Sequence, residues 1–181
     1  MRLEPDLRRL LQDQRPEVSD VVRGPKGPCQ VSIEDVMMPF MDATTKKETV
    51  KKYYDEIWSK GRLALIDELM TDDYENCDPA TPGVVLKGKA GMRGLVSTFR
   101  EAMPDLVLAI KEQFCDGDTV VSCWEASGTQ RGALMGIPPT GRPCSEIRGI
   151  TITTFRGEKI ARDYAIWDVP KLLRTLGALP G

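Results

Sequence analysis

The sequence predicts an α+β domain preceded by a short extension. Two observations carry this reading. Apolar residues recur at helical spacing between Thr45 and Pro104, then switch to strand-like alternation, and turn residues divide the second half into hairpins. Helices followed by a long antiparallel meander place the helices on one face of a sheet.

The first helix is expected over Thr45 to Lys60. Thr45 and Glu48 have capping-box spacing, and Val50, Tyr53, Tyr54, Ile57 and Trp58 recur at i, i+3, i+4, i+7 and i+8. Gly61 ends it. RLALIDELM reads as a second, shorter helix, and TDDYENCDPATPG after it reads as irregular. The third helix begins near Lys89, buries Met92, Leu95, Val96, Phe99 and Met103, and stops at Pro104. Leu106, Leu108 and Ile110 then alternate, and Asp116-Gly117-Asp118 makes a hairpin turn into a strand from Val120 to Ser127. A loop follows, then a strand from Cys144 to Phe155, the turn RGEK, and a last strand from Ile160 to Trp167. Asp168 before Val169-Pro170 has the position of an N-cap on a closing helix.

Residues 1–42 differ. LEPDLRRLLQDQ is briefly amphipathic, RGPKGPCQ breaks it, and Glu4, Asp6, Asp13, Glu17 and Asp20 disfavour a transit peptide. The reading is a loosely ordered extension on a domain of residues 43–181. A formal net charge of -2 argues against nucleic acid or an anionic membrane as partner, and no apolar run is long enough to span a bilayer. Five scattered cysteines, never in a CxxC pair, fit reduced thiols in a cytoplasmic protein. The chain has no histidine, which removes Ser-His and Cys-His nucleophile systems and argues against a transition-metal site. The expectation is no metal and no cofactor, with chemistry left to carboxylates, Tyr, Lys, Cys or water.

GTQRGALMGIPPTGR, from Gly128 to Arg142, together with this order of elements, resembles the SnoaL-like polyketide cyclases of the NTF2-like superfamily. Further matching pieces are ENCDP with the later Gly88, the turn from Gly157 to Ile160, Asp168, and LLRTLG from Leu172. The resemblance runs from Thr45 to Pro180. It implies a curved antiparallel sheet wrapped by helices into a cone around an apolar cavity, with the glycine- and proline-rich loop at the rim. It also implies an intramolecular aldol-type ring closure on a small apolar carbonyl compound, and dimers formed through the exposed sheet. Three positions depart from the family pattern: Gln130 and Cys77 stand where histidines are common, and Tyr164 stands in place of a closing tryptophan.

Ring closure needs a base for a carbon acid beside a carbonyl and a donor for the enolate oxygen. A carboxylate raised in pKa by an apolar cavity would serve without histidine. Glu146 is the first candidate. Side chains two apart on a strand share a face, which groups it with Cys144, Arg148 and Ile150. Its alternative is a solvated ion pair with Arg148. Asp78 is the second candidate, with Asp-Pro as an ordinary turn starter against it. Candidate ligand contacts are Gln130, Asn76, Trp124, Arg148, Tyr53, Tyr164 and Asp168. The expected partner is a small apolar ligand. Loss of both histidines leaves a second possibility open, a binding module without catalysis, and the exposed sheet leaves a third, a dimeric interaction module.

Overall fold

The computed structural model describes residues 41–80 and 85–180. The expectation for residues 1–40 of the extension lies outside the described residues. Helix α1, Ala43–Lys52, starts two residues ahead of its expected position because Asp42, not the Thr45–Glu48 pair, caps it. Asp42 Oδ1 accepts the Thr45 N–H at 2.7 Å. The helix then widens into a π-helix over Tyr53–Ser59, where Tyr53, Tyr54 and Ile57 are all buried. A π-turn carries an extra residue on the same face, and such turns recur at functional sites. The Arg100 guanidinium closes this segment, donating to the carbonyls of Trp58 at 3.0 Å and Ser59 at 2.5 Å.

The second helix is shorter than expected, α2 Leu65–Leu69. The stretch read as irregular is instead strand β1, Met70–Cys77, followed by the short β2, Val85–Lys87. Its large buried apolar side chains are Met70 and Tyr74, with polar residues between them, so no alternation marks it. Its partner lies far along the chain: β1 runs parallel to the last strand, with Asn76 beside Asp163 and Cys77 beside Tyr164. Helix α3, Gly88–Ala102, leads to β3 Val107–Asp116, β4 Thr119–Thr129, β5 Pro143–Arg156, β6 Lys159–Trp167 and α4 Val169–Leu176. The six strands lie in the order β2-β1-β6-β5-β4-β3, and every pairing except β1–β6 is antiparallel. Register shifts interrupt β3–β4 between Ile110 and Glu112 and β4–β5 between Ala126 and Gly128. Such bulges bend and twist a sheet, and here they accompany its curvature.

The core fills the space between sheet and helices. Met92 and Val96 of α3 and Val50 and Ile57 of the first helix are all 0 % exposed, each such burial contributing about 1.5–3 kcal/mol. Lys46 is buried as well, its Nζ donating to the Gly117 carbonyl at 2.8 Å and pairing with Asp118 Oδ1 at 2.7 Å. That contact ties α1 to the β3–β4 turn. Gly149 sits directly opposite Trp124 across β4–β5, and a Cβ there would run into the indole. Its absence lets the ring lie across β5.

Candidate functional site

A cavity of about 320 Å³ lies between the sheet and the helices. Its walls are largely apolar and aromatic, with Trp58, Phe99, Trp124 and Trp167 among them. A few polar side chains also reach it, notably Asn76, Asp78, Thr151 and Asp163. The π-helical segment supplies Tyr53, Tyr54 and Trp58, β1 supplies Asn76, and β6 supplies Asp163, Ala165 and Trp167 at alternate positions.

Asp163 is the group that the sequence reading missed. It is 1 % exposed, and it accepts hydrogen bonds from Tyr74 Oη at 2.8 Å and from Thr153 Oγ1 at 2.6 Å. Asn76 Nδ2 donates in turn to Tyr74 Oη at 3.2 Å. Burial pushes the Asp163 carboxyl above its ordinary range, while the hydrogen bonds from Thr153, Tyr74 and Tyr53 pull it back. Burial also pushes the hydroxyls of Tyr53, Tyr54 and Tyr74 up, which keeps them protonated as donors. One signal could have found Asp163. An aspartate is disfavoured in a strand, and this one shares a strand face with Ala165 and Trp167 two and four residues on.

Of the residues expected at the site, Tyr53, Asn76, Asp78 and Trp124 line the cavity together. Asp78 accepts from Trp167 Nε1 at 2.9 Å and from the Ala80 N–H at 2.8 Å. Trp124 Nε1 donates to Thr151 Oγ1 at 2.9 Å.

Glu146, Arg148, Gln130, Tyr164 and Asp168 are not among the cavity-lining residues. Glu146 adopts φ 54° in the β4–β5 bulge, where Ser145 and Glu146 oppose Ser127 alone. The extra residue resets the alternation. Cys144 and Ile147 point into the cavity, and Glu146 points out to Lys171, whose Nζ lies 3.3 Å away. Arg148 stands 3.7 Å from Glu125 and is exposed, so the expected Glu146–Arg148 pair does not form. Tyr164 neighbours Asp163 in sequence and therefore faces the other side of the sheet. Asp168 caps α4, accepting the Lys171 N–H at 2.9 Å.

Gln130 is fully buried, but inside its own loop. Its Nε2 donates to the carbonyls of Ile137 and Pro138, each at 3.2 Å, and its Oε1 accepts from Thr140 N at 3.1 Å and Thr140 Oγ1 at 2.6 Å. The base of the loop is pinned by Arg131 N and Gly132 N, both bonded to the Ala102 carbonyl. Its tip is a tight turn in which Leu134 and Ile137 exchange backbone hydrogen bonds. Met135, at φ 52°, half-exposed and apolar, reaches the cavity from that turn. The glycines and prolines thus build a rigid rim that presents one apolar side chain. Among the described residues no cluster of three His, Cys, Asp or Glu side chains is placed to hold a metal ion, and no helix is long and apolar enough to cross a membrane.

No curated protein matches the chain. A protein from Jannaschia sp. CCS1 assigned as a SnoaL-like polyketide cyclase superposes with a TM-score of 0.69 at 22 % identity, covering 78 % of this chain and 96 % of that one. A protein from Acidithiobacillus ferrooxidans assigned as a polyketide cyclase gives 0.67 at 29 % identity, over 75 % and 96 % of the two chains. A Catenulispora acidiphila protein with a ketosteroid isomerase-like fold gives 0.59 at 19 % identity, over 72 % and 92 %. The fold is therefore the NTF2-like one, a curved open sheet covered by helices. The family model for the SnoaL-like polyketide cyclases matches residues 48–176, and the chain belongs to that family.

Proposed function

We propose that the cavity binds a small apolar carbonyl compound and that Asp163 moves a proton at the carbon beside its carbonyl, in an aldol-type ring closure or isomerisation. One observation carries this: a carboxylate 1 % exposed in a largely apolar cavity, in contact with the space a ligand would fill. Burying a carboxylate costs stability, and an apolar core residue in its place would not. The same burial makes it a stronger base than a solvated aspartate. Tyr74 and Thr153 hold its two oxygens, and Asn76 holds Tyr74. Asp78, hydrogen-bonded to Trp167 at another part of the wall, is a second carboxylate for returning the proton.

The test is solvent deuterium exchange at the carbon between the carbonyls of an aryl β-keto ester, followed by NMR. The protein should accelerate exchange, and Asp163→Asn should lose roughly 10²–10⁴ of that acceleration. Glu146→Gln, on the outer surface, should keep it. Asp163→Asn exchanging at the parent rate would remove the base assignment. Tight binding of the ester without accelerated exchange would favour a binding module.

We also propose that the outer face of the sheet pairs with a second copy. Phe114, Val121, Ile152 and Tyr164 form one row across β3, β4, β5 and β6, and Cys123, Ile150 and Ile166 form the next. Phe114 is 60 %, Ile166 56 % and Ile150 47 % exposed, an apolar patch of the kind that marks an association surface. Sedimentation should show a dimer that Ile152→Asp converts to monomer, and a monomeric parent at micromolar concentration would end this reading.

A further inference from the structure

One proton in the group around Thr151 has no acceptor among the described residues. Trp124 Nε1 donates to Thr151 Oγ1 at 2.9 Å, and Tyr54 Oη lies 2.8 Å from the same oxygen. The indole N–H and the two hydroxyls bring three protons to this group. They form two hydrogen bonds. If Tyr54 donates to Thr151, both acceptor positions of Oγ1 are filled and the threonine proton is spare. If Thr151 donates to Tyr54, the tyrosine proton is spare. No other acceptor for either hydroxyl is found among the described residues. All three side chains are buried, at 2 %, 4 % and 8 % exposure for Tyr54, Thr151 and Trp124, and all three line the cavity. A buried donor without an acceptor is costly, and the open space beside this one is the cavity itself.

We propose that this spare hydroxyl proton is the hydrogen-bond donor for an acceptor oxygen, carbonyl or enolate, of the cavity's ligand. The sheet register places it usefully. Thr153 lies directly across from Asp163, and Thr151 is one pleat further along the same face, across from Ala165. Diagonal neighbours of this kind stand about 7–8 Å apart. That spacing leaves room for the C–H and the oxygen of one enolisable unit between carboxylate and donor. The ligand class is therefore an enolisable ketone or ester whose oxygen rests on β5 while its α-carbon faces β6. This assignment rests on the reading of the cavity as a ligand site.

The experiment compares 2-acetonaphthone with 2-isopropenylnaphthalene, which has the same shape with CH₂ in place of the carbonyl oxygen. Binding is read as quenching of tryptophan fluorescence. Trp58 and Trp167 remain as reporters in every variant and both line the cavity. The quantity of interest is the ratio of the two Kd values, which cancels effects on shape and general stability. Because the proton is shared, each of Tyr54→Phe, Thr151→Val and Trp124→Phe leaves at least one spare donor and should keep the parent ratio within about twofold. The combined triple variant leaves none and should shift the ratio about tenfold toward the hydrocarbon. Unchanged hydrocarbon affinity in the triple variant shows that the cavity is intact. A ratio unmoved in the triple variant would place the ketone oxygen elsewhere, at Asn76 for example, and overturn the assignment. So would a full shift in Tyr54→Phe alone, since the donor would then be one fixed hydroxyl. If neither probe quenches the parent protein, the ligand-site reading fails and this proposal with it.

Discussion

Gln130 offers the sharpest test of how the rim loop is held. Gln130→Leu keeps the side-chain size and removes four hydrogen bonds, two to the carbonyls of Ile137 and Pro138 and two from Thr140. At about 0.5–1.5 kcal/mol each, the four contribute about 2–6 kcal/mol. Pro138 and Thr140 are exposed, so the freed groups regain water and the loss falls at the low end of that range, about 2–3 kcal/mol. For a domain of this size that lowers the unfolding midpoint by about 5–10 °C. Gln130→Glu discriminates further. One carboxylate oxygen can still accept from Thr140, but the other faces two carbonyl oxygens. Its folded pKa is then raised above the unfolded value, so the stability of this variant is present in acid and lost as pH rises through the folded pKa. Urea unfolding followed by circular dichroism at pH 5 and pH 7 measures both effects. A Gln130→Leu midpoint equal to the parent's, or a Gln130→Glu variant as stable as the parent at pH 7, would refute the clamp.

Two further outcomes follow from other parts of the structure. Met135→Gly should raise the unfolding midpoint by relieving a left-handed backbone at φ 52°, a gain of about 1 kcal/mol, whereas Met135→Ala should not; both should weaken binding of 2-acetonaphthone, measured by fluorescence quenching. Burial raises the Asp163 pKa, so its contribution to stability is complete below the unfolded pKa and lost as pH rises through the folded one. Asp163→Asn should therefore gain stability relative to the parent between acid and neutral pH, as read from urea midpoints against pH, and a constant difference across that range would contradict it.

Local chemistry determined much of this protein. The stripe from Val50 to Trp58, the break at Pro104, the Asp116-Gly117-Asp118 turn and the cap at Asp168 each depend on residues within one or two turns of chain, and each stands where the sequence places it. The rim loop was legible for the same reason, since its glycines and prolines define its own turns. Tertiary structure decided the rest. Strand β1 exists because β6 offers it a parallel edge, a pairing that its polar sequence does not announce. Glu146 left the cavity because one extra residue in the β4–β5 bulge reversed which side chains face inward, and a period-two argument has no way to see a partner strand's register. Gln130 turned into its loop rather than toward a ligand because the carbonyls of Ile137 and Pro138 lie within its reach. Asp163 became the buried carboxylate through the opposite route. Tyr74 on β1 and Thr153 on β5, distant in sequence, meet on either side of β6 and supply the hydrogen bonds that let a carboxyl group stay in a largely apolar cavity. Spacing along a chain predicts which side chains share a face, but the solvation of a face is set by the strands and helices that close over it.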